Sequence, residues 1–202
     1  MEHKVTEHEL VGGAKLLVIN LPVAVSFALD IYTRSGYRFA NPAHFELPHL
    51  LEHLAFEGNE LYPDALAFKA EMEKDGTYFN ATTGSFFNDY YYIALPGELK
   101  RIIELGLAQV FQPLLTEAAI SHEKETVTNE LKGYREDNYR TRGYGSMQVL
   151  FGKGWPSWTE RIAGLANVSS EDLRAFHQTN YTPSNVRFVL SGHFSRPRSI
   201  NR

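Results

Sequence analysis

The sequence predicts an α+β fold, an antiparallel or mixed sheet covered by helices. Two observations lead there. Strand-like segments come in groups, β-β-α-α-β-β-α-α-α-β, rather than in strict βαβ alternation. Near Gly97 the apolar period also changes, from the alternation of strands to helical spacing. No repeat, low-complexity tract or linker divides the chain, so residues 1–202 are expected to form one domain.

Each element has a local cause. Residues 15–20 are a short apolar run broken at Asn20-Leu21-Pro22. Residues 23–32 alternate loosely with β-branched and aromatic side chains, a second strand. Ser35-Gly36 opens a loop through Pro42. Pro48 suits the first turn of a helix, where its missing N–H has no intrahelical partner. That helix is expected to reach about Phe56 and to end at Gly58-Asn59. A second helix spans 63–74, closed by Asp75-Gly76. Residues 77–83 and 86–95 read as strands around a turn at Gly84-Ser85, with Tyr90, Tyr91 and Tyr92 suited to a sheet. Leu99, Ile102, Ile103, Leu107 and Val110 then recur at helical spacing until Pro113. Thr116 N-caps a long polar helix reaching roughly Asn138, and 142–151 continue as helix. Residues 152–156 are loop, and Trp155 and Trp158, flanking Pro156, are read as packing residues in it. Ser169 and Asp172 form a capping box for a helix ending near Asn180, before a last strand over 186–190.

Composition narrows the function classes. A hydrophobic fraction of 43% with 22% charged residues is ordinary for a soluble globular protein. A net charge of −4 gives no reason to expect nucleic acid or an anionic membrane as partner. The chain has no cysteine, which removes disulfides, thiolate metal ligands and cysteine nucleophiles. The first ten residues are polar, unlike a secretion signal. The most apolar region, 14–29, is interrupted by Lys15, Asn20 and Pro22 and is shorter than the ~20 residues of a membrane helix. A cytoplasmic location is the expectation.

The chemistry centres on His49-Leu50-Leu51-Glu52-His53, which reads HxxEH. On a helix, positions i and i+4 share a face, so both imidazoles can reach one ion, and Glu52 points to the same side. This is the inverzincin signature. Such pairs also occur on solvated helices. Here Leu50, Leu51, Leu54 and Phe56 make the helix partly buried, and burying two histidines and a glutamate with no shared cation would be costly. A catalytic zinc needs a third ligand and leaves one position for water. Glu123 and Glu130, two turns apart on one helix face, can each supply it. Glu117, Glu125 and Glu136 lie on the same helix, and spacing alone does not choose among them. His122, beside Glu123, is a weaker candidate, and His44, His177 and His193 read as surface or packing residues.

With these residues in place, the sequence resembles the pitrilysin/insulinase metallopeptidase family, which includes mitochondrial processing peptidase and bacterial zinc proteases. The likeness covers nearly the whole chain. Between His53 and Glu130 lie 76 residues, the separation at which the family places its ligand glutamate. Residues 123–130 are similar to the family's E-x-E-x-V-x-x-E stretch. By that match one zinc per chain is held by His49, His53 and Glu130, and Glu123 orients a histidine. Glu52 is then the general base that activates water. The Asn80-Ala81-Thr82-Thr83 segment is similar to the family's edge strand, where an extended substrate adds along Phe79, Asn80 and Ala81. Phe56 matches an aromatic that lines the pocket beside the scissile bond.

The resemblance implies a zinc endopeptidase acting on unfolded, extended peptides. It also implies a second family domain or subunit, in a homo- or hetero-oligomer, that supplies an arginine and a tyrosine. The family continues past the strand over 186–190 into further helix and strand, so the chain is expected to be incomplete there, ending instead in a basic tail, 195–202. Glu46-Leu47-Pro48 stands where the family has small residues, a change read as altering the helix start without touching the ligands. Two alternatives remain. Some family members keep the fold as scaffold or substrate-docking subunits without activity. S-ribosylhomocysteine lyase shares HxxEH, but its third ligand is a cysteine, and this chain has none.

Overall fold

The computed structural model describes residues 3–193. Its strands are β1 (Lys4–Glu9), β2 (Lys15–Asn20), β3 (Phe27–Thr33), β4 (Tyr78–Thr83), β5 (Asn88–Ala94) and β6 (Val186–Gly192). They form one sheet in the order β1-β2-β6-β3-β5-β4. The β2–β6 pair is parallel and the other pairs are antiparallel, so the sheet is mixed. The helices are α1 (Leu47–Leu54), α2 (Ala65–Glu73), α3 (Leu99–Phe111), α4 (Glu117–Glu136), α5 (Asn138–Phe151), α6 (Trp158–Ala166) and α7 (Ser170–Asn180).

Alternation in the central strands creates the core. Phe27, Leu29 and Ile31 of β3 and Tyr90, Tyr92 and Ala94 of β5 are buried at every second position. Leu50, Leu51 and Leu54 of α1, Phe68 and Met72 of α2, Ile102 and Leu105 of α3, and Val127 and Leu131 of α4 belong to the same buried cluster. The two buried phenols have partners, as buried tyrosines generally do. Tyr92 Oη donates to Gln109 Oε1 (2.8 Å), and Tyr90 Oη pairs with Tyr181 Oη (3.0 Å).

The observed elements depart from expectation in four places. β1 lies outside the expected elements: five of its six residues are exposed, so no alternating apolar pattern marks it. Residues 23–26 precede rather than form β3. The long helix is two helices, because Asp137 leaves helical geometry and its carboxylate accepts from the N–H groups of Tyr139 and Arg140. α6 is an additional helix, and Trp158 is its first residue rather than part of a loop; the Ser157–Glu160 capping box starts it. The tail over 195–202 lies outside the described residues. Among those residues, no helix is long and apolar enough to cross a membrane.

Candidate metal centre

α1 carries the HxxEH residues, and α4 packs beside it. His49 is buried and His53 is half-buried. Their Nε2 atoms face one oxygen of Glu130: His49 Nε2 lies 3.5 Å and His53 Nε2 3.8 Å from Glu130 Oε2. One ligand atom from each of the three residues falls within 4.8 Å of the others. Donors around a tetrahedral zinc, with bonds of about 2.0–2.1 Å, sit about 3.4 Å apart. The set is therefore close to the size a zinc ion needs, and two imidazoles with one carboxylate suit its chemistry.

The other ring nitrogens support the fit. His53 Nδ1 donates to Glu123 Oε2 (2.8 Å), and His49 Nδ1 donates to Glu46 Oε2 (3.0 Å). A carboxylate at Nδ1 holds the proton there and leaves Nε2 free to ligate. The resemblance implies that Glu123 orients a histidine, and the ring it touches is that of His53. Glu46 takes the same place at His49, so the change at residues 46–48 does touch a candidate ligand, through the three-residue spacing. Tyr134 Oη donates to Glu130 Oε2 (3.1 Å), and Thr83 Oγ1 donates to Glu52 Oε2 (2.5 Å). Tyr134 is four residues after Glu130 on the same helix, a spacing visible in the sequence. Arg161, which pairs with Glu46, is 115 residues away, and no local signal points to it.

The electrostatics follow from this packing. Burial pushes the His49 imidazole down, but hydrogen bonds to Glu130 and Glu46 outweigh it and raise its pKa to about 9. The His49 hydrogen bond is the main cause of a Glu130 pKa lowered to about 2. Burial opposes charge on Glu46, yet His49 and Arg161 together keep its carboxyl below the ordinary range.

The other candidates on α4 are not part of the group formed by His49, His53 and Glu130. Glu117, Glu125 and Glu136 are exposed, and so is His122, whose ring lies 3.7 Å from Glu123 Oε1. His44 pairs with Asp172 (3.6 Å), and His177 Nε2 meets the Val110 carbonyl (2.9 Å).

Two hollows meet at the centre, and Glu52, His53 and Glu130 line both. The larger, about 600 Å³, is bounded by Ala81 to Ser85 and by the aromatic residues Tyr134, Tyr144, Trp155 and Trp158. The smaller, about 320 Å³, is lined by Phe56, Lys69, Asn80 and Glu123. Phe79 stacks on Phe56 with ring centroids 5.6 Å apart. β4 is an edge strand, and Asn80 Oδ1 accepts from the Ala81 N–H (2.8 Å).

Comparison with known proteins bears on family and fold. The family described as Insulinase (Peptidase family M16) matches residues 15–142, more than half of the chain. An uncharacterized zinc protease of Rickettsia felis is 24% identical over 197 residues, covering 96% of this chain and 47% of that protein. The mitochondrial presequence protease of Mus musculus is 29% identical over 174 residues, covering 73% of this chain and 16% of that protein. Among solved structures, a protease from Helicobacter pylori has a TM-score of 0.87 at 18% identity, covering 96% of this chain and 47% of that one. Pitrilysin has a TM-score of 0.83 at 21% identity, covering 98% and 22%. These two likenesses establish the fold, and the chain spans less than half the length of each of these relatives. By the extent of the family match, the chain belongs to the insulinase family of zinc peptidases, peptidase family M16.

Proposed function

We propose that this domain hydrolyses extended, unfolded peptides with one zinc ion held by His49, His53 and Glu130. The observation that carries the reading is the convergence of both Nε2 atoms on one Glu130 oxygen. A zinc ion there would lower the pKa of a bound water to about 7 and polarise the scissile carbonyl. Glu52, on the same face of α1, takes the water proton as general base and returns it to the leaving amine. Thr83 holds the Glu52 carboxylate through Oε2. A substrate strand adds to the open edge of β4 along Phe79, Asn80 and Ala81, passing Phe56, and is read by backbone shape more than by sequence. Its path runs across the two hollows that share Glu52 and His53.

Residues 1–202 form one domain in this proposal, and a second family domain or partner subunit completes the enzyme. The share of its relatives that the chain spans supports that part.

The test is metal analysis together with hydrolysis of an unfolded fluorogenic peptide, by the chain alone and with a candidate partner. About one zinc per chain is expected in the wild type, and markedly less in Glu130→Ala. Glu52→Gln should keep the metal and lose hydrolysis. Zinc retained in full by Glu130→Ala would refute the ligand set. Zinc bound without cleavage in any combination would favour a scaffold or docking subunit.

A further inference from the structure

We propose that Glu46 and Arg161 are positioning residues: Arg161 locks the Glu46 carboxylate, and Glu46 fixes the His49 ring so that Nε2 faces the ion. The inference rests on the zinc-site reading above and adds residues that the family resemblance did not supply. Glu46 immediately precedes α1 and is 0% exposed, and Arg161 of α6 is 4% exposed. Glu46 Oε2 accepts from His49 Nδ1 (3.0 Å), while Oε1 accepts from Arg161 Nε. With both oxygens engaged, the carboxylate has no free rotation, and the ring it holds has none either. The Arg161 guanidinium is itself confined by Tyr37, Phe45, Tyr144 and Trp158, whose ring centroids lie 4.7–5.2 Å away.

Stability is a weak reason to bury such a pair, because well-packed apolar side chains often serve as well. The contact with Nδ1 supplies a functional one. A carboxylate there selects the tautomer whose Nε2 lone pair can bind metal. Glu123 does this for His53 from α4. The two histidines are thus oriented from different elements, and Glu46 is the carboxylate tied by a buried cation to α6.

The 202-residue wild type is compared with Glu46→Gln, Arg161→Lys and the double variant Glu46→Met/Arg161→Met. Three quantities are read: zinc affinity in competition with a chromophoric chelator, the visible spectrum with cobalt(II), and metal-free melting temperature. Glu46→Gln should weaken zinc about 10-fold, and the double variant about 10- to 100-fold with an altered cobalt spectrum. Arg161→Lys keeps a cation beside Glu46 and should retain most of the affinity. The double variant removes both charges and leaves neither unpaired, but it takes the acceptor from the His49 Nδ1–H, so it should fold and melt somewhat below the wild type. A purely structural role would leave zinc affinity and the cobalt spectrum of that variant unchanged, and this result overturns the proposal. If the double variant does not fold, unchanged affinity and spectrum in Glu46→Gln overturn it equally. A wild-type chain that takes up no zinc refutes the zinc-site reading instead, before any variant is compared.

Discussion

His49 joins a buried position to two acidic neighbours, and this sets its protonation. In the metal-free chain the ring's pKa is raised to about 9, from an ordinary value of about 6.5. A raised pKa stabilises the fold fully below the unfolded value, and the gain is lost as pH rises through 9. Zinc needs the unprotonated ring, so metal and proton compete. Zinc affinity should therefore climb steeply with pH, approaching tenfold per unit between about 6 and 8. Dissociation constants at three pH values check this, and a flat profile contradicts it. Asp89, on β5 away from the site, shows the opposite sign. Burial, and then the neighbouring Asp30 charge, raise its pKa to about 7. Between about pH 4 and 7 the unfolded state ionises at this position more readily than the folded one, so the group costs stability increasingly across that window. Asp89→Asn should stabilise the protein at pH 7 by about 1 kcal/mol, a figure discounted because the side chain is half exposed, and by almost nothing at pH 4. Urea unfolding at the two pH values measures it.

Among the elements, α1 was the most legible. HxxEH on a helix obliges both histidines and Glu52 to one face, and the apolar residues between them set the other face into the core. α6 was the least legible: a nine-residue helix announced by little more than its capping box. Its place depends on a close approach. A Cβ added at Gly164 would lie 2.5 Å from the Ala43 carbonyl oxygen. Gly164→Ala should thus push α6 away from residues 42–44 and destabilise the fold by about 1–3 kcal/mol. Because Arg161 rides on the same helix, zinc affinity should fall with it. Thermal melts and zinc titration of the variant test both effects. β1 shows another limit, since an almost wholly exposed strand carries no apolar alternation to read.

At the scale of the molecule, the proposed zinc site would tie α1 to α4, since His49 and His53 lie on one and Glu130 on the other. An ion bound to the folded state alone stabilises it by mass action, about 2.7 kcal/mol at 100 times the dissociation constant. For a domain of this size that raises the melting temperature by roughly 5–10 °C, and a chelator should reverse it. A melt insensitive to zinc would contradict the site. The sequence by itself determined the fold class and the HxxEH face, because helical repeats and fixed spacings are local rules, whereas the roles of Glu123 and Glu130 entered only as what likeness to a family implies. Only the tertiary structure brought one oxygen of Glu130 before both rings and set Arg161 behind Glu46. Contacts between residues seventy or more positions apart depend on how helices pack over the sheet, and no local period records that.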